Sequence, residues 1–159
     1  MTAIPRDLVA EALGVSPDAL PPGDLPVARF AERWMGWLRA TQGDAAPEQH
    51  PEFWTFALFG ALAARAPDLC LDAVLASLAI ATTPDDAALI AAGPLEDLLA
   101  ASGPAIIGRI ETEAAAHPRL RYALTGVWAE GSAGTPLWQR IEAARQGPTI
   151  DSGAPLPPA

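Results

Sequence analysis

Phe30, Trp34, Trp37 and Leu38 recur at i, i+4, i+7 and i+8, an apolar stripe on a helix expected over residues 26–41. Leu71, Val74, Leu75 and Leu78 repeat the pattern, with Asp68 and Asp72 on another face. Ile107, Ile110 and Ala114 form a third stripe, beside Arg109 and Glu113 one turn apart where they can pair. Leu120, Leu124, Val127 and Trp128 form a fourth, and Leu137, Ile141 and Ala144 a last one. Between the first two, Phe53, Trp54, Phe56, Leu58, Phe59 and Leu62 point all round their axis, the signature of a central, buried helix.

Proline punctuates these stripes. Pro51, Pro67, Pro84, Pro94, Pro104, Pro118 and Pro136 each precede good helix formers, where the missing N–H has no intrahelical partner to lose. Thr83 and Thr135 stand before two of them as caps, and Gly93-Pro94 and Gly103-Pro104 read as one helix stopping and the next starting. Successive starts lie 16, 17, 10, 10, 14 and 18 residues apart, too uneven for a strict repeat. The expected fold is all-α, an irregular antiparallel stack of helical hairpins, solenoid-like or a bundle, with no sheet. A single helical domain is expected over residues 1–146. Residues 147–159 hold four prolines and one charge, a composition that predicts a mobile tail.

Composition agrees and closes several doors. The 159 residues include 35 Ala and 19 Leu against 5 Val and 8 Ile, a balance that favours helix. Lysine is absent, which removes Schiff-base and phosphate-loop lysine chemistry. A net charge of −9 argues against a nucleic-acid partner. The longest charge-free apolar stretch, residues 53–64, is 12 residues long, short of a membrane span. With no apolar segment at the N-terminus and one cysteine, Cys70, set between leucines as a small buried hydrophobe, a cytoplasmic protein is expected.

The residues that carry chemistry elsewhere are dispersed here. His50 and His117 each precede proline, at helix entrances, and match no zinc-binding spacing. None of the serines sits in a G-x-S-x-G turn, and the glycines form no phosphate loop. The paired acids Asp85-Asp86 and Glu96-Asp97 occupy first turns, where they offset the helix dipole. No catalytic residue, metal site or cofactor is expected. Charge is polarised, with −6 over residues 51–103 and +1 over residues 104–146. An acidic face of Asp68, Asp72, Asp85 and Asp86 would steer a basic protein partner, with Trp34 or Trp37 as an anchor inside the contact and Trp138 a further candidate. One of Glu96 and Asp97 is expected to cap its own helix, the other to pair with Arg119 or Arg121 of the following hairpin.

The string Gly93-Pro94-Leu95-Glu96-Asp97-Leu98-Leu99, the Phe53-Trp54 helix and the stretch Leu124-Thr125-Gly126-Val127-Trp128 together resemble an uncharacterised family of bacterial helical proteins, over about residues 50–142. The resemblance implies a helical unit and no activity. The function expected from the residues is a non-catalytic interaction module, an adaptor or regulator. The alternatives are an acidic immunity or antitoxin protein that blocks a basic toxin, and an enzyme or small-ligand binder with a site assembled from distant residues.

Overall fold

The computed structural model describes residues 2–129 and 131–159. Its helices are α1 (Arg6–Leu13), α2 (Val27–Ala40), α3 (Trp54–Arg65), α4 (Pro67–Ile80), α5 (Pro84–Ile90), α6 (Glu96–Ala116), α7 (Pro118–Leu124) and α8 (Pro136–Ala144). The fold is an all-α helical stack. It departs from the expected absence of sheet in one place: β1 (Ala3–Ile4) pairs antiparallel with β2 (Leu25–Pro26). Two residues per strand are too few to leave an alternating pattern.

The chain divides into two compact units, Met1–Ser77 and Leu78–Ala159, where the sequence alone predicts one domain over residues 1–146. The boundary falls inside α4, so no Pro- or Gly-rich linker announces it.

In the first unit α3 packs against α1 and α2. The stripe on α2 buries Phe30, Trp34 and Trp37, which meet α3 through rings: Phe59 lies 4.9 Å from both Phe30 and Trp34. The expectation of a helix buried all round is corrected on α3. Phe56 is 50% exposed, and Ala57, Gly60 and Ala64 share the exposed side. Small residues make that side apolar by composition without giving it anything large to bury. Phe56 instead stacks on Phe53 at 5.5 Å and packs near Trp37.

In the second unit α6 contacts both α7 and α8, and α5 contacts α7. Two caps form as predicted: the Thr83 hydroxyl accepts the Asp86 N–H at 3.1 Å, and that of Thr135 accepts the Trp138 N–H at 3.2 Å. Of the two Gly-Pro breaks, the one at Gly93 forms and the one at Gly103 does not. At Gly93 (φ −111°, ψ −105°) the chain kinks through one wide turn, Ala91–Leu95, and continues into α6. At Gly103 no break occurs and Pro104 is carried inside the helix. Gly103 is there for proximity: a Cβ on it would stand 2.6 Å from Leu137 Cδ2 of α8. The joined run Pro84–Ala116 is long and apolar enough to cross a membrane by length and composition, yet half of its most apolar window is buried inside the protein.

The expected mobile tail is corrected as well. Residues 147–159 run back over the second unit and are tied down along their length. The Ile150 N–H donates to Thr125 Oγ1 at 3.0 Å, Tyr122 donates its hydroxyl to the Ala154 carbonyl at 2.8 Å, and Arg119 Nε donates to the Pro157 carbonyl at 2.8 Å. Ile150 also sits over Gly126, where a Cβ would meet its Cδ1 at 2.8 Å. Composition forbids this segment a core of its own; it borrows one from α7.

Candidate functional site

Helix α7 ends at Leu124, and Thr125-Gly126 turns the chain out of the helix. The apolar stripe therefore breaks before its last member: Val127 is buried, whereas Trp128 is 76% exposed. Its position is held from below. Glu96, in the first turn of α6, accepts the Trp128 backbone N–H on Oε1 at 2.8 Å. Thr135 then starts α8, which lies along α6 at the close approach of Gly103 and Leu137.

Between these elements lies a groove of about 380 Å³, with Leu99 and Pro104 of α6 on one wall, Leu137, Trp138 and Ile141 of α8 on the other, and Trp128 at the rim. Trp138, another candidate anchor, is buried in this wall. Its indole N–H donates to Glu142 at 3.0 Å and the Arg145 guanidinium lies 4.9 Å from its ring centroid. Glu96 is the charged side chain among the described lining residues. Those residues offer apolar contact area and one carboxylate. It presents no nucleophile paired with a base, and no group of three His, Cys, Asp or Glu able to hold a metal occurs among the described residues.

The residues singled out by sequence fare unevenly. Trp34 and Trp37 are 2% and 7% exposed and belong to the aromatic core of the first unit, with the Trp37 indole donating to the Pro47 carbonyl at 3.3 Å. As interface anchors they are corrected, because a stripe of large rings on an amphipathic helix marks core. Asp86 is also buried: its carboxylate accepts the Thr82 N–H at 2.7 Å and the Thr82 hydroxyl at 3.1 Å, which closes the entry to α5. It is a local structural group. Asp85 and Asp68 are exposed and Asp72 is half-buried, Asp68 and Asp72 in the first unit and Asp85 in the second.

The ion pair expected between Glu96 or Asp97 and Arg119 or Arg121 is corrected too. Both guanidinium groups go to carbonyl oxygens at helix ends. Arg121 reaches Ala114 and Ala115 at the end of α6, at 2.6 and 3.0 Å. Arg119 reaches Leu78, Ala79 and Ala81 at 2.7, 3.0 and 3.0 Å, where α4 runs out of its own donors. Asp97 is exposed as a residue, and desolvation raises its carboxyl pKa from the ordinary 3.8. The pair within α6 does form, Arg109 to Glu113 at 3.6 Å. His50 and His117 both stand at helix boundaries, His50 accepting the Glu52 N–H on Nδ1 at 3.1 Å. Trp128 is the residue that periodicity misses. The Thr-Gly pair just before it was the available signal, since a Gly two positions ahead ends the helix on which its stripe depends.

No curated protein and no solved structure matches the chain. A family model does, over residues 42–149, described as a family of unknown function (DUF6869). That span contains the whole groove and agrees with the uncharacterised family that residues 50–142 resemble. The chain belongs to this family of unknown function.

Proposed function

We propose that the protein is a non-catalytic protein-binding module, and that the α6–α8 groove with Trp128 at its rim is its contact surface. The observation that carries this reading is Trp128, an indole left 76% exposed beside a preformed apolar groove. Covering a large apolar side chain gains free energy, and tryptophan is among the residue types most enriched in interface hot spots. The partner is a protein segment that brings an apolar side chain for the groove and a basic residue for Glu96. Two charges support the basic character: Glu96 in the groove itself and the net −9 of the chain.

The test is affinity capture from the host with wild-type and Trp128→Ala baits, at low and at physiological salt, followed by Kd measurement on the retained protein. The reading expects a protein retained by the wild type and lost by the variant, with a Kd that weakens as salt rises. Equal retention by both baits contradicts it. So does turnover of a substrate by the purified protein that His50→Ala or His117→Ala abolishes.

A further inference from the structure

In the first unit, α1, the loop over residues 20–26, α2 and Trp54 enclose a cleft of about 410 Å³. Its lining includes the apolar Val9, Leu25 and Trp54 together with Arg6, Arg29 and Arg33. Arg29 and Arg33 are one turn apart on α2, so both guanidinium groups project from the same side of that helix. Among the described lining residues the acid is Asp24, which accepts the Arg6 backbone N–H on Oδ1 at 3.1 Å. The lining thus carries three arginines in a chain whose net charge is −9.

The three arginines are unequally engaged. Arg6 reaches Asp18 at 3.3 Å, a carboxylate 97% exposed and a weak competitor. Arg33 reaches Glu52 at 3.4 Å and lies 5.6 Å from the Trp54 ring centroid. Arg29 has no hydrogen-bond or ion-pair partner among the described residues. A planar fork of donors with nothing to bind, above an apolar wall, matches an anion with an apolar body. The cleft volume falls in the range that holds small ligands.

We infer that this cleft binds a small amphiphilic carboxylate, with the head on Arg29 and Arg33 and the apolar chain against Val9, Leu25 and Trp54. A bare hydrated anion makes no use of that wall, and an apolar cation meets the unpartnered guanidinium of Arg29.

The test is calorimetric titration of the full-length protein with decanoate below its micelle concentration, beside inorganic phosphate and decylamine. Arg29→Gln removes the unpartnered fork without breaking a hydrogen bond or ion pair, and circular dichroism verifies its fold. The inference expects saturable decanoate binding, at least tenfold weaker in Arg29→Gln, and at least tenfold tighter than either phosphate or decylamine; tenfold is ~1.4 kcal/mol. Trp128→Ala is expected to bind decanoate as the wild type does, which separates this site from the groove of the second unit. Absence of saturable decanoate binding overturns the inference, as does an unchanged affinity in Arg29→Gln. Phosphate binding as tightly as decanoate overturns the amphiphile assignment, and decylamine binding as tightly overturns the role of the arginines.

Discussion

Arg119→Met removes the donors of one side chain and keeps its apolar stem. In the second unit this guanidinium meets four carbonyl oxygens, those of Leu78, Ala79 and Ala81 through one nitrogen and that of Pro157 through Nε. A terminal guanidinium nitrogen carries two hydrogens, so no more than two of the first three bonds are fully made at once. Hydrogen bonds to a charged group are each worth ~1.5–3 kcal/mol net, and a cation at a helix C-terminus adds ~0.3–1 kcal/mol. Arg119 is half-buried, which places each bond near the low end of its range. Three such bonds with the dipole contribution, discounted for their mutual dependence, give a loss of ~3–5 kcal/mol. Urea denaturation is the assay. The midpoint should fall, and limited proteolysis should show the segment after Gln146 cut sooner, since its anchor at Pro157 has gone. Arg119→Lys is expected to recover less than half of the loss, because an ammonium lacks the fork. A loss under ~1 kcal/mol, or a tail no more sensitive to protease, would refute the assignment of Arg119 as the tie between the end of α4 and the tail.

Three further outcomes are expected. Phe59→Ala should cost ~3–5 kcal/mol in chemical denaturation by emptying the space between Phe30 and Trp34, whereas half-exposed Phe56→Ala should cost less than half as much. Gly103→Ala should cost ~1–3 kcal/mol by pushing Leu137 out of its place against α6, and Leu137→Ala in the same chain should restore part of it. Burial, with a smaller contribution from Asp85, raises the Tyr122 phenol above its ordinary 10.0. Its stabilisation is therefore complete below pH 10 and lost as pH rises through the folded-state value, and Tyr122→Phe should abolish that alkaline slope in a melting-temperature profile.

Helices with one strong stripe were legible from sequence, and so were the starts marked by Thr-Pro, because capping is decided within four residues. What failed was decided elsewhere in the chain. Gly103-Pro104 has the grammar of a break, but the glycine is required by Leu137, more than thirty positions away. The last segment has the composition of a loose tail, but Arg119 and Tyr122 of α7 and Thr125 just after it supply partners for its backbone. The site suffered in the same way. Trp34 and Trp37 were conspicuous by number, and burial within one aromatic cluster answers for both. Asp86 has the sequence pattern of surface charge, but its two bonds to Thr82 belong to a buried carboxylate. The period that places Trp128 in the interior ends with α7.

Trp128→benzoylphenylalanine, made in the host and irradiated there, tests the proposed contact most directly. The same probe at Phe56, the other exposed aromatic, serves as the comparison. The account predicts one crosslinked protein partner from position 128, absent from position 56 and diminished as salt is raised. No crosslink from position 128, or the same crosslinks from both positions, would contradict it.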